Sequence, residues 1–171
     1  MKLPGPPIPQ VHLQPGEVLV TQEPLWVITL LGSCVAVTMF NAHFRLAAIC
    51  HAMLSQPRGT VTPCPNPAQR FRYLSDAIPA MSRRFSRLGL PPHEVEVKLF
   101  GGGDVIDLGG EPHNDPSIGQ ANIAKAQQLL NEAGFQIQAR NVGGDRGCKI
   151  AFNTESGEVL HRRLTRGKAK A

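Results

Sequence analysis

The chain reads as one α+β domain, a β-sheet core of about seven to eight short strands flanked by two main helices. Three observations predict it. Short runs rich in Val, Ile, Leu and aromatics alternate with turn chemistry along much of the sequence, and two segments carry helical periodicity instead. The length, 171 residues with 42% hydrophobic content, suffices to bury one core.

Taken in order, residues Met1 to Gln10 carry four prolines without periodicity and are expected to be loose. Glu17 to Val20, Trp26 to Leu30, Val35 to Phe40 and Leu46 to His51 read as strands. A loop with Pro57, Gly59, Pro63, Pro65 and Pro67 leads into a first helix, whose apolar stripe is Phe71, Leu74, Ile78, Met81, Phe85 and Leu88. Pro79 inside that stripe removes a backbone donor and predicts a kink or a restart. Gly89 and Pro91 stop the helix. Val95, Val97 and Leu99 alternate with Glu96 and Lys98, which predicts a half-buried strand running into Gly101-Gly102-Gly103. Ser117 and Gln120 have capping-box spacing ahead of a second helix that Gly134 ends. Strands at Phe135 to Ala139, Lys149 to Phe152 and Val159 to Arg163 close a domain spanning residues 11–163, and a basic tail over 164–171 is expected to be disordered.

Composition excludes several classes of function. No run approaches the roughly 20 apolar residues of a membrane span, and the Met-Lys start is followed by prolines instead of a signal-peptide core. A cytoplasmic protein without membrane insertion is expected. The four cysteines, Cys34, Cys50, Cys64 and Cys148, are then free thiols. The net charge is +5, but with one Trp, one Tyr and no reading motif, nucleic acid is not the expected partner. A zinc site from Cys34, Cys50, His51 and Cys64 lacks regular ligand spacing, and Gly101 to Gly103 lacks the GK[ST] of a phosphate loop.

Chemistry concentrates in Thr29-Leu30-Leu31-Gly32-Ser33-Cys34-Val35-Ala36-Val37 and in His51-Ala52-Met53-Leu54. A hairpin turning at Ala42-His43 would set Cys34 directly opposite His51, with Cβ atoms about 4.5–5.5 Å apart. A neighbouring imidazolium would stabilise the thiolate, which is the nucleophile. Gly32 permits a tight approach, the amides of Ser33 and Cys34 can face an oxyanion, and the Thr29 hydroxyl can orient His51. Cys50 alternates to the other face and reads as core, as a lone cysteine usually does.

These residues resemble the chemoreceptor glutamine deamidases, the CheD family. The nucleophile and histidine segments carry the likeness. Tyr73 with Asp76-Ala77, Lys98-Leu99-Phe100-Gly101-Gly102-Gly103, Ile118-Gly119 with Asn122, Gly143-Gly144, Gly147, Phe152 and Gly157 extend it. The resemblance implies a fold similar to the catalytic domain of cytotoxic necrotizing factor toxins. It implies hydrolysis of glutamine side chains of methyl-accepting chemotaxis receptors to glutamate through a thioester on Cys34, with His51 and Thr29 as partners and no cofactor or metal. A CheC-type phosphatase is implied as a second partner for some members. Ala121, Asn141 and Cys148 stand where the family usually carries charge, and Ser55 replaces a proline. Two alternatives stay open: a receptor- or phosphatase-binding protein without turnover, and another cysteine-dependent amide hydrolase or acyltransferase.

Overall fold

The computed structural model describes residues 1, 3–4, 7–57, 69–105 and 116–165; the loop prolines at 63, 65 and 67, Gly59, Cys64 and residues 166–171 lie outside them. The strands are β1 (Gln10–His12), β2 (Val18–Thr21), β3 (Trp26–Leu31), β4 (Val35–Asn41), β5 (Leu46–Ala52), β6 (Glu96–Gly101), β7 (Ile137–Val142), β8 (Cys148–Asn153) and β9 (Val159–Arg163). The helices are α1 (Leu74–Ser86) and α2 (Ile118–Glu132). The fold is α+β, as the sequence predicts, but its strands form two sheets.

One sheet has the order β1-β3-β8-β9 and the other β2-β5-β4-β6-β7. They face each other across an apolar layer that includes Val27 and Leu31 from the first sheet, Ile150 and Phe152 beside them, and Ala36, Phe40, Ala47 and Ile49 from the second. The second sheet's other face carries the helices, with Val37, Met39, Cys50 and Leu99 packed against Leu74, Ile78, Met81, Phe85, Ala126 and Leu130. β4 and β5 are therefore covered on both sides and buried at every position. This is why their sequences read as continuous apolar runs and not as alternation. On the outer face of the first sheet, Met1, Leu3 and Ile8 pack against Trp26, Ile28 and Ala151.

Both helices follow their sequence signals. α1 buries Leu74, Ala77, Ile78, Met81 and Phe85 and runs past Pro79 without restarting. Leu88, assigned to the stripe from sequence, lies beyond the helix and is 45% exposed. α2 opens on the expected capping box, with the Ser117 side chain accepting from the Gln120 amide and the Gln120 side chain accepting from the Ser117 amide. Its end is a Schellman motif: Gly134 N–H donates to Asn131 O at 2.9 Å and Phe135 N–H to Leu130 O at 2.9 Å. Gly134, at φ +79°, takes the left-handed position that L side chains resist. Phe135 is thereby drawn into the core, so the strand predicted from Phe135 to Ala139 begins later, at Ile137.

β1 is the strand that sequence reading missed. It pairs in parallel with β3 over only Gln10 to His12, too short a run for alternation to register. The Ser117→Ala variant is expected to lose about 1 kcal/mol of stability through the broken cap, measured as a shift in the urea midpoint with an unchanged slope.

Candidate active site

The hairpin that carries the histidine closes later than predicted. Ala42 to Arg45 form a four-residue turn in which Phe44 N–H donates to the Asn41 side chain at 2.9 Å, and Arg45 adopts φ +48°. Local hydrogen bonding by Asn41 thus outweighs the shorter turn centred on Ala42-His43. The register moves accordingly: His51 lies opposite Ala36, and Cys34 does not lie opposite His51. The shift is by two residues, which preserves side-chain direction, so His51 still points between the sheets. Cys34, just ahead of β4, packs against that same layer. Diagonal neighbours of this kind lie about 7–8 Å apart in a regular ladder, within reach of a long or aromatic side chain.

Thr29 projects into the layer from the opposite sheet. Its Oγ1 is 2.7 Å from His51 Nδ1 and donates to Leu13 O at 2.9 Å. This arrangement fixes the tautomer. The Leu13 carbonyl can only accept, and the hydroxyl has one hydrogen, which it gives to that carbonyl; Nδ1 must then carry the proton that it shares with Oγ1. Nε2 is left as the unprotonated, basic nitrogen, and it is buried without a protein partner among the described residues. The main chain around the ring is equally held, with His51 N–H donating to Glu17 O at 3.0 Å and Gly16 N–H to His51 O at 2.8 Å.

Burial dominates the electrostatics. It pushes His51 down from 6.5 to about 4, against smaller upward effects of the Leu13 carbonyl and the Glu17 charge. It pushes the Cys34 thiol up, opposed by the Cys34 amide facing the sulfur. The resting pair is therefore neutral thiol and neutral imidazole, where the sequence reading expected an imidazolium. In this form the ring keeps a free lone pair on Nε2, an atom that can accept a proton.

The Cys34 segment is held through its carbonyls. Gly103 N–H donates to Gly32 O at 2.8 Å and Gly102 N–H to Cys34 O at 2.7 Å. The Asn122 amide donates to Ser33 O at 3.0 Å and to Met53 O at 2.9 Å. Close packing makes this possible: a Cβ at Gly101 would stand 2.4 Å from Cys34 O, and one at Gly119 would stand 2.5 Å from Gly102 O. The turn and the α2 start therefore dock backbone to backbone beneath Cys34.

Sequence reading brought Thr29 and His51 together, and their contact is present. It missed the grip of Asn122, for which the only signal was the resemblance at the α2 start. Cys50 and His51 project from opposite faces of β5, so they do not form the joint zinc site weighed from sequence. Cys148 is buried between the sheets, where a charged side chain would be desolvated. Asn141 accepts from Arg163 at 2.9 Å. A cavity of about 400 Å³ lies on the outer face of the first sheet between Leu3, Ile8, Trp26 and Lys149, away from Cys34 and His51.

The depressed His51 value predicts a pH dependence. The unfolded imidazole binds a proton near pH 6.5 and the buried one only near pH 4. Stability is thus complete above about pH 6.5 and falls by up to about 3 kcal/mol as pH drops to about 4, because the unfolded state alone takes up the proton across that window. Chemical denaturation at a series of pH values should show this limb in the wild type and lack it in His51→Gln.

Comparison with known proteins follows the same lines. The family model described as CheD chemotactic sensory transduction matches residues 53–163. A Geobacter sulfurreducens protein, probable chemoreceptor glutamine deamidase CheD 2, is 42% identical over 96% of both chains. A probable chemoreceptor glutamine deamidase CheD from Oleidesulfovibrio alaskensis is 43% identical over 89% of this chain and 71% of its own. One from Methanococcus maripaludis is 29% identical over 86% of this chain and 90% of its own. On the family match and these identities across most of its length, the chain belongs to the CheD family.

Proposed function

We propose that this chain is a protein-glutamine deamidase that converts glutamine side chains of methyl-accepting chemoreceptors to glutamate, with Cys34 as nucleophile, His51 as acid-base and Thr29 as its orienting partner. The observation that carries the reading is the relay from the Leu13 carbonyl through Thr29 to His51, which leaves Nε2 basic in the layer against which Cys34 packs. The names of the relatives supply the substrate class. Chemoreceptor signalling domains face the cytoplasm, so the same proposal locates the chain there. Among the described residues no helix is long and apolar enough to cross a membrane. Docking to a CheC-type phosphatase belongs to the proposal as a second partnership.

In the first half-reaction His51 Nε2 takes the Cys34 proton as sulfur bonds to the amide carbon, and the carbonyl oxygen becomes an oxyanion facing the amides of Ser33 and Cys34. Collapse breaks the carbon–nitrogen bond, and His51 returns its proton to the departing ammonia. In the second half-reaction His51 takes a proton from water, whose oxygen attacks the thioester; the carbon–sulfur bond breaks, His51 returns that proton to the leaving thiolate, and the new carboxyl group releases its own to solvent, leaving glutamate and the restored thiol.

The test is ammonia release from a chemoreceptor cytoplasmic fragment, with mass spectrometry of its glutamines. Wild type should release ammonia, Cys34→Ala should fall to background, and His51→Asn should lose about 10²–10⁴ in kcat. Turnover retained by Cys34→Ala would refute the mechanism. Receptor binding without turnover by wild type would establish a binding protein, and efficient incorporation of an added primary amine would establish an acyltransferase.

A further inference from the structure

We infer that Asn122 is a positioning residue for the oxyanion site, one that aims the Cys34 amide at the substrate carbonyl by holding the carbonyl of the preceding residue. The inference rests on the reading of Cys34 as nucleophile and goes beyond it by naming what orients the amide that stabilises the transition state.

The argument is one of peptide geometry. The peptide bonds of the described residues are trans, so each carbonyl points opposite the N–H of the next residue. The Asn122 side chain donates to Ser33 O at 3.0 Å from the α2 side, which turns the Cys34 N–H away from α2. That N–H faces the Cys34 sulfur, the place where an attacked carbonyl would sit. The same bookkeeping applies to the neighbouring peptide, where Gly103 N–H holds Gly32 O and so turns the Ser33 N–H to the opposite side.

Asn122 also ties together the two chain segments of the site. Its second donor goes to Met53 O at 2.9 Å, two residues beyond His51, so one planar amide spans the nucleophile segment and the histidine strand. The side chain is 1% exposed, and its Oδ1 has no hydrogen-bond partner among the described residues. Burying an unsatisfied amide oxygen costs stability. Both donors are spent on these two carbonyls, which an apolar residue at this helix position would leave without the Asn122 partner. Such retained local cost is common where geometry serves a reaction.

The experiment compares two reactions of one thiol in the full chain, with Asn122→Ala and Asn122→Ser. Glutamine deamidation develops an oxyanion, whereas alkylation by iodoacetamide forms sulfur–carbon, breaks carbon–iodine and develops none. The inference predicts that Asn122→Ala lowers kcat for the receptor fragment by about 10- to 100-fold with KM within about twofold. The rate of Cys34 alkylation and its pH profile should stay within about threefold of wild type. Asn122→Ser, which retains one short donor, should recover part of kcat. Parallel loss of deamidation and alkylation, or a rise in KM alone, would overturn the inference while leaving the nucleophile in place. If Asn122→Ala unfolds, Asn122→Ser decides by the same comparison. Cys34→Ala run beside them separates the two failures: turnover without Cys34 refutes the proposed function itself, and this inference with it.

Discussion

The hydrogen bond from His51 Nδ1 to Thr29 Oγ1, 2.7 Å long and buried, is the constraint around which the site is organised. It crosses the gap between two sheets. Thr29 belongs to the sheet ordered β1-β3-β8-β9 and His51 to the sheet ordered β2-β5-β4-β6-β7, so the ring is aimed only when the two sheets are packed. Leu13 completes the chain of acceptors and is itself anchored by its N–H to Ile28 O at 2.9 Å. Folding of the β core and placement of the His51 ring are therefore one event. The same burial that permits this bond strips the imidazole of water and keeps it neutral at rest; its lone pair stays free, but at about 4 its basicity is lower than that of a solvated histidine.

The segment around Cys34, the proposed nucleophile, is built differently. Cys34 stands outside the ladder, and its direction comes from donors aimed at three successive carbonyls: Gly103 to Gly32, Asn122 to Ser33, and Gly102 to Cys34. The glycines at 102 and 119 let α2 approach the turn at backbone distance, so a helix whose periodicity speaks only of core packing also supports the Cys34 segment. β4 is the element that both halves share: it begins immediately after Cys34 and pairs with the strand bearing His51.

Much of this was legible in the sequence, and the reasons are local. The capping box at Ser117, the glycine stop at Gly134 and the stripe from Leu74 to Phe85 each depend on a few neighbouring residues. The contact of Thr29 with His51 was also anticipated from residue type. Register was not legible, because it depends on whether the Asn41 side chain captures the Phe44 amide and on the left-handed conformation of Arg45, a residue that seldom adopts it. The error moved the pairing by two residues and so left the face of His51 unchanged; a slip of one would have removed the histidine from the site. Asn122 was noted only through the resemblance, and its grip on the Cys34 segment was not legible for a related reason. An asparagine within a helical pattern reads as a polar surface position, and only the three-dimensional approach of Ser33 and Met53 shows that it is buried and fully used as a donor.

The central claim is that the folded core holds His51 as one neutral tautomer, with the proton on Nδ1 and a free lone pair on Nε2. Nitrogen-15 NMR of the histidine side chains at neutral pH, with His51→Gln identifying the signal, measures this directly. The account predicts a protonated Nδ1 coupled to an unprotonated Nε2, with no change until the pH approaches about 4. A proton on Nε2, or an imidazolium at neutral pH, would contradict it.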